Sequence, residues 1–354
     1  MKDYWSILPI FVVAIFLGVG VYFTYHWFVP NPPGLTLDQA IHELAEERPS
    51  PGHVVFSSRS LVDGYGDLAR GREEDDWLGV ESQDHTLEQV TTRTQLVVIF
   101  VHGYNTSSAR AVEIGERLRG FVCEGEAQGC PNARLYSFLW RGDLNPGEFR
   151  AAQNAATNSA YPLADFVRRL HDRRPELPIL VISHSLGARV VLEGLGLLRQ
   201  SEASQWVDAV VLIQPAVHVG SVSKWMEPRF GYGFLGRSQN EGRYWEVLKS
   251  AGRVIATVSA GDRTLQLLFP VGQELTTEPY RTALGSATNL ADLPDYTGGG
   301  LYGTYTFTEA ESPVESYDIS PLDHSDIFGS EKEHKKHLAS LWLKVRAVLD
   351  LSEL

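Results

Sequence analysis

The sequence predicts an α/β protein whose mostly parallel central sheet has helices on both faces, preceded by one N-terminal transmembrane helix. Apolar segments of strand length alternate with helical patterns from residue 93 onward, and nearly continuous apolar strands are typical of a parallel sheet covered on both faces. The run from Trp5 to Val29 contains no charged side chain. Hydrophobic residues make up 43% of the chain and charged residues 21%, which excludes a disordered or fibrous protein.

The charge balance and the cysteine content exclude several functional classes. The chain has 31 Lys+Arg and 44 Asp+Glu, a formal net charge of −13, whereas nucleic-acid-binding proteins normally carry a basic surface. We therefore expect no nucleic-acid partner. Cys123 and Cys130 are too few for a disulfide framework or a four-cysteine zinc site, and they leave open either one local bridge or two unrelated thiols.

The N-terminal segment, residues 1–30, is predicted to be an uncleaved membrane anchor. The uncharged run Trp5–Val29 is long enough to cross a hydrocarbon core of about 30 Å. A cleaved signal peptide would have a shorter apolar region of about 7–15 residues followed by small residues, and a buried soluble helix is the other alternative. Lys2 precedes the run and the first basic residue after it is Arg48, which weakly favours a periplasmic or extracellular position for the rest of the chain.

The remaining chain divides into residues 31–92, a linker with accessory strands, and residues 93–354, one α/β domain. The predicted strands are His53–Arg59, Leu96–Val101, Leu135–Trp140, Ile179–Ser183, Ala209–Gln214, Val254–Ser259 and Glu315–Ile319. The predicted helices are Ser108–Phe121, Tyr161–Arg173, Leu186–Leu198 and Glu331–Leu349.

The sharpest local motif joins the strand that ends at Ser183 to the helix that follows it. The connection reads Ser183-His184-Ser185-Leu186-Gly187, which matches the G-x-S-x-G nucleophile elbow with serine in place of the first glycine. Such a turn presents the central serine above the sheet edge, so Ser185 is the candidate nucleophile. The alternative is an ordinary strand-to-helix turn that contains a capping serine.

A second motif, His102-Gly103-Tyr104-Asn105, follows the strand that ends at Val101. In serine hydrolases with this turn, the loop at that position supplies one backbone N–H of the oxyanion hole, and the residue after the nucleophile supplies the other. The expected donors are Tyr104 and Leu186. A structural role for His102 is favoured over a catalytic one.

The H-G-Y-N loop, the strand Ser-Phe-Leu-Trp140 and the S-H-S-L-G turn together resemble a bacterial α/β-hydrolase family catalogued mainly as a domain of unknown function. The resemblance covers roughly residues 93–330. It implies the α/β-hydrolase fold and a triad of serine, acid and histidine, and it implies no particular substrate.

The fold orders the triad along the chain as serine, acid and histidine. Asp262 follows the strand that ends at Ser259 and is the expected acid; a plain turn aspartate is the alternative, with Asp292 and Asp295 in reserve. His324 follows the last strand and is the expected base. Its neighbours Asp323 and Asp326 either tune it or are simply solvated.

Residues 216–250 form a candidate lid insertion. Its Trp225, Met226 and Phe230 are expected to bind substrate in an apolar acyl pocket, or else to form a small satellite core. The sequence contains no H-E-x-x-H, EF-hand, P-loop or G-x-G-x-x-G motif, so we expect no metal and no cofactor.

These features predict a membrane-anchored serine hydrolase that cleaves an ester, thioester or related acyl bond, with lipids among the candidate substrates. A serine peptidase is a less favoured variant, since no peptide-binding feature is legible. A non-catalytic envelope scaffold that retains the fold is the alternative from a different class. The sequence does not indicate the oligomeric state.

Overall fold

The computed structural model describes residues 53–58, 87–88, 90–123, 132–145, 147–199, 205–222, 243–274, 283–286 and 314–349. Several sequence predictions lie outside these residues, namely the anchor at 5–29, Trp225, Met226, Phe230, Asp292, Asp295 and Cys130. No helix within the described residues has the length and apolarity needed to cross a membrane.

The described strands form one sheet of seven parallel strands in the order β1-β3-β2-β4-β5-β6-β7. The strands are β1 (His53–Ser57), β2 (Leu96–Val101), β3 (Ala133–Leu139), β4 (Ile179–His184), β5 (Val207–Ile213), β6 (Ala251–Val258) and β7 (Val314–Asp318). Each predicted strand is present: β2 has the predicted bounds, and the ends of the other six differ from the prediction by at most three residues. All seven are parallel, so their carboxyl ends lie at one edge of the sheet, where loops collect functional residues in open α/β sheets.

The helices lie on both faces of this sheet. They are α1 (Ser108–Val122), α2 (Phe149–Asn158), α3 (Ala160–Arg173), α4 (Gly187–Leu198), α5 (Phe269–Glu274), preceded by a π-helical turn at Thr264–Leu268, and α6 (Lys332–Val348). Helix α2 was not predicted. Its buried residues are Ala152, Gln153, Ala155 and Ala156, so its buried face carries none of the large apolar side chains that mark a helix most clearly in a sequence.

Two separate hydrophobic clusters show that the sheet is buried on both faces. In β2, Val97 and Ile99 belong to one cluster, while Val98 and Phe100 belong to the other, as the alternation of side chains along a strand requires. Helices α2, α3 and α4 contribute to the first cluster, and α1 and α6 to the second.

The C-terminus of α1 carries one of the two cysteines. Cys123 is the C-cap residue of this helix and is disulfide-bonded. The only other cysteine in the sequence is Cys130, which lies outside the described residues.

Candidate active site

The turn between β4 and α4 holds Ser185 in a backbone conformation that few non-glycine residues adopt. Its φ is 52°, which is the left-handed region and costs free energy unless the surroundings enforce it. Three backbone hydrogen bonds do so: the Ser185 N–H donates to Ile213 O (3.0 Å), and its carbonyl accepts from the N–H groups of Ala188 (3.1 Å) and Ala216 (3.0 Å). The sharp turn therefore projects Ser185 at the carboxyl edge of the sheet.

The loop after β2 packs directly against this turn, which requires glycine at two positions. A Cβ on Gly103 would lie 2.9 Å from Ser185 Cβ and 2.8 Å from His184 Nδ1. A Cβ on Gly187 would lie 2.6 Å from Val101 O and would also collide with His102 O. Both glycines of the sequence motifs are thus explained by close backbone approach.

His324 follows β7 and faces Ser185. Its Nε2 lies 3.0 Å from Ser185 Oγ, and its Nδ1 lies 2.8 Å from Asp262 Oδ2. Both distances are within hydrogen-bonding range. The structure therefore brings the predicted nucleophile, base and acid together in one hydrogen-bonded chain, although they are far apart in sequence.

Asp262 follows β6 and is fully buried. Its Oδ1 accepts from the Leu265 N–H at 2.8 Å, and its Oδ2 accepts from both His324 Nδ1 and Gln214 Nε2, the latter at 3.0 Å. These donors satisfy the oxygens of a carboxylate that has no contact with water. Arg263 lies beside it in sequence, but its N–H donates to Asp323 Oδ1 (3.0 Å) instead.

Asp323 and Asp326 organise the histidine loop, and neither carboxylate forms a hydrogen bond or an ion pair with the imidazole of His324. Asp323 Oδ1 accepts from the backbone N–H of His324 at 2.7 Å, and Asp326 Oδ2 accepts from the Asp323 N–H at 2.9 Å. The sequence analysis expected these two carboxylates either to tune His324 or to be solvated. The geometry shows a different role, because both fix the backbone of the loop.

Gln214, at the end of β5, is a site residue that sequence reasoning missed. It is fully buried with φ 43°. Its Nε2 donates to Asp262 Oδ2 (3.0 Å) and Asp323 O (3.1 Å), and its Oε1 accepts from the Ser325 N–H (3.1 Å). One amide therefore joins the acid to the histidine loop. A polar residue that ends an apolar strand, at the edge where Ser185 and Asp262 also lie, was the available signal.

The backbone N–H groups of Tyr104 and Leu186 lie in the two loops that meet at Ser185. Neither donates a hydrogen bond to any other residue that the structure describes. The Tyr104 side chain is engaged elsewhere, because its hydroxyl donates to Asn145 O and its ring packs edge-on against Phe149 at 5.7 Å. Burial raises the pKa of Tyr104 above its usual value, so the phenol stays protonated and acts as a structural donor.

Two other histidines border the site. His102 stacks on Trp140 at 5.6 Å, accepts the Trp140 backbone N–H through Nε2 (3.2 Å) and receives the Trp140 indole N–H at its carbonyl (2.6 Å). His102 thus ties its loop to the end of β3. His184 lies behind the base, with its ring 4.8 Å from that of His324 and its Nε2 3.2 Å from Ser325 Oγ.

Burial, together with the nearby His324 and His102, holds the pKa of His184 well below its usual value. His184 is therefore neutral at neutral pH. A neutral ring at this position packs against the imidazole of His324 without adding a positive charge beside it, which matters because an imidazolium would be disfavoured by a second cation.

Within the described ranges, no group of three or more His, Cys, Asp or Glu side chains is arranged to hold a metal ion. His334, on α6, has a side chain that is only 14% exposed, and its Nε2 lies 3.7 Å from Glu331 Oε2.

Residues 80–288 match the model of a family described as an α/β hydrolase of unknown function (DUF900). No curated protein sequence matches this chain.

Three solved structures are among those similar in fold. A fungal esterase from Rhizomucor miehei is 12% identical, with a TM-score of 0.37 over 72% of this chain and 75% of its own. The esterase domain of a Rhodothermus marinus protein is 16% identical, with a TM-score of 0.34 over 73% and 89%. An α/β serine hydrolase without a lid, from Xanthomonas campestris, is 10% identical, with a TM-score of 0.33 over 73% and 82%.

Proposed function

This chain belongs to the α/β hydrolase family of unknown function, and from that premise we propose that it is a serine hydrolase of an ester, thioester or related acyl bond. The observation that carries the proposal is the continuous chain Ser185 Oγ–His324 Nε2 (3.0 Å) and His324 Nδ1–Asp262 Oδ2 (2.8 Å). This order of contacts is what nucleophilic acyl transfer requires: a hydroxyl, a base that removes its proton, and an acid that orients the base.

In the acylation step, Ser185 Oγ attacks the substrate carbonyl carbon while His324 Nε2 accepts the hydroxyl proton. Asp262 accepts the Nδ1–H bond throughout, which fixes the ring orientation and stabilises the imidazolium that forms. His324 then donates the proton to the departing alcohol or thiol, and the acyl group remains on Ser185. This division of one difficult substitution into two steps is the advantage of a covalent intermediate.

The negative charge on the carbonyl oxygen is stabilised by the N–H groups of Tyr104 and Leu186. Two observations support this role: each N–H is free of other partners among the described residues, and the close approach of Gly103 to Ser185 brings the two loops together. Backbone donors that are already oriented cost no reorganisation when the oxyanion forms. In the second step His324 removes a proton from water, which attacks the acyl carbon. The bond to Ser185 Oγ then breaks, His324 returns the proton to Oγ, and a carboxylic acid is released.

The nucleophile is tested with an active-site fluorophosphonate and with p-nitrophenyl esters of short acids. Wild-type protein should be labelled at Ser185, and Ser185→Ala should lose both labelling and esterase activity while its thermal unfolding midpoint is kept. Labelling that persists in Ser185→Ala would remove this serine from the mechanism. A wild-type protein that neither labels nor hydrolyses any acyl substrate would favour the non-catalytic scaffold.

The acid and base should act with Ser185 as one unit. His324→Ala should cost nearly as much rate as Ser185→Ala, and the double variant should cost little more. Asp262→Asn should lower kcat strongly, by a factor on the order of 10⁴ in a well-studied protease. Near wild-type activity in Asp262→Asn, with collapse in Asp292→Asn or Asp295→Asn, would assign the acid role elsewhere.

The proposal extends to the substrate pocket and the membrane on sequence grounds. The candidate lid at 216–250 would line an acyl pocket through Trp225, Met226 and Phe230, so Trp225→Ala should shift the preferred acyl chain length. The uncharged run Trp5–Val29 would anchor the protein with its hydrolase domain on the periplasmic or extracellular side.

Anchoring and orientation have separate measurements. Full-length protein should stay in the membrane fraction after carbonate washing, and removal of residues 1–34 should release it. A mature N-terminus beyond residue 25 would identify a signal peptide instead. Protease added to the outer face of intact inner membranes should digest the hydrolase domain, and protection would reverse the proposed orientation.

A further inference from the structure

A cavity of about 620 Å³ lies between α1 and the start of α6, away from the proposed catalytic residues. Its walls are Arg117, Gly120, Phe121, Phe328, Gly329, Ser330, Lys332, Lys335, Lys336, Leu338 and Ala339. All of these belong to the described residues, and none is Ser185, Asp262 or His324. The volume lies within the range of about 300–1,000 Å³ that is usual for small-molecule sites.

Every charged side chain that lines the cavity is a cation, in a chain whose net charge is −13. Lys332 and Lys335 pair with no carboxylate in the described part of the chain. Lys336 lies 3.7 Å from Glu333. The ammonium groups of Lys332 and Lys335 can therefore turn to an anion without breaking an ion pair within the described residues.

Arg117 supplies a cation that is held in place. Its Nη1 donates to the carbonyl of Phe328, and its Nη2 lies 2.5 Å from Glu113 Oε1. These two contacts fix the guanidinium at the wall that α1 forms. Lys332, Lys335 and Lys336 on α6 are exposed, so the cavity combines one oriented cation with three solvent-exposed ones.

The rest of the lining is apolar. Phe328 and Leu338 are almost fully buried, so the accessible apolar surface comes from the partly exposed Phe121 and Ala339. A simple inorganic anion would leave this surface in contact with water, whereas a ligand with an apolar body would cover it at a gain of about 25 cal/mol per Å².

We propose that this cavity binds a small organic anion that carries a phosphate or carboxylate group on an apolar body. The cations hold the anionic group, and Phe121 and Ala339 contact the body. Phe328 also packs edge-on against His184 at 5.2 Å, and His184 in turn lies against His324. The site is thus adjacent to the histidine loop but separate from the proposed catalytic centre, and its existence does not depend on the proposed function.

The proposal is tested by calorimetric titration of full-length protein with 1-naphthyl phosphate, 1-naphthoate, inorganic phosphate and 1-naphthol. One or both of 1-naphthyl phosphate and 1-naphthoate should bind more tightly than inorganic phosphate or 1-naphthol. The affinities of the two naphthyl anions, compared with each other, identify the preferred anionic group. Inorganic phosphate that binds as tightly as 1-naphthyl phosphate, or failure of both naphthyl anions to bind, would overturn the proposal.

Two variants locate the ligand. Lys332→Gln/Lys335→Gln should weaken binding about tenfold, whereas Lys249→Gln/Lys344→Gln, which removes the same charge outside the cavity, should leave it unchanged. Gly120→Phe should also weaken binding, because a Cβ there meets no atom within 4 Å and the ring can enter the cavity without displacing the helix. Equal losses in both lysine pairs, or full binding in Gly120→Phe, would contradict the site. Binding lost only when Ser185 carries a phosphonate would assign the ligand to the catalytic centre instead.

Discussion

At the scale of single residues, the candidate site includes a buried side-chain amide, that of Gln214, in addition to Ser185, Asp262 and His324. Gln214 donates to the same Asp262 oxygen that accepts the His324 Nδ1–H bond. It also hydrogen-bonds two backbone groups of the histidine loop, the Asp323 carbonyl and the Ser325 N–H. If its role is to position the acid and the loop, its loss should affect the chemical step more than substrate binding.

We expect Gln214→Met to lower kcat by a factor of about 10–100 with little change in KM, since a hydrogen bond to a charged group contributes about 1.5–3 kcal/mol. Gln214→Glu keeps the acceptor for Ser325 but adds negative charge beside Asp262. That charge favours protonated His324, so the acid limb of the pH–rate profile should move to higher pH in Gln214→Glu and not in Gln214→Met.

Gln266→Met is the matched control, because Gln266 is exposed and donates to Ala260 O one turn away from the acid. Both kinetic constants should stay near wild type in this variant. A parallel rise of KM and fall of kcat in Gln214→Met, or an unmoved pH–rate profile in Gln214→Glu, would indicate a purely structural amide.

At the scale of elements, two turns must meet for the acid and the base to touch. The turn after β6 contains Gly261, and a Cβ there would lie 2.6 Å from Pro321 C and would collide with Pro321 O. Pro321 lies within the segment that leads from β7 to His324. Because the obstructing atoms are backbone, the two turns can accept a side chain only by moving apart.

Gly261→Ala should therefore lower the rate of phosphonate labelling at Ser185 severalfold and cost about 1–3 kcal/mol of stability through overpacking. Labelling kinetics and thermal unfolding are measured on the same preparations. Gly147→Ala serves as the control, since a Cβ at that turn meets no atom within 4 Å. Wild-type labelling in Gly261→Ala would show that the turns tolerate separation.

These elements also mark how far the sequence could lead. The strand Leu96–Val101 is buried on both faces of the sheet. Such a strand needs apolar side chains at nearly every position, so the sequence alone predicts it. The positions of Ser185, Asp262 and His324 follow from where strands end. The hydrogen-bond partners of Gln214 and the α1–α6 cavity could not be inferred, because both arise where segments that are distant in sequence meet. Helix α2 was missed because its buried face consists of small side chains and Gln153 rather than large apolar residues.

At the scale of the whole molecule, buried histidines couple folding to pH. Burial lowers the pKa of His218 to about 3 from an ordinary value of 6.5, and it lowers the pKa of His184 in the same direction. Unfolding exposes these rings, which then bind protons below pH 6.5, whereas the folded His218 stays neutral until about pH 3. The unfolded state thus binds more protons across this window, so the free energy of unfolding falls as the pH drops from 6.5 towards 3.

His218→Asn should isolate this effect. The asparagine Oδ1 can replace Nδ1 as acceptor of the Gly220 N–H, which His218 binds at 3.1 Å, but it does not titrate. Between pH 7 and pH 5, wild-type protein should lose about 2 kcal/mol more stability than the variant, which is the linkage expected from one histidine with this shift.

Urea unfolding at the two pH values measures the difference, and similar stabilities at pH 7 would verify that the acceptor is replaced. If wild type and His218→Asn lose equal stability on acidification, the folded His218 must accept a proton well above pH 3, and acid sensitivity must then come from other groups, of which the buried His184 beside the histidine loop is the first to replace.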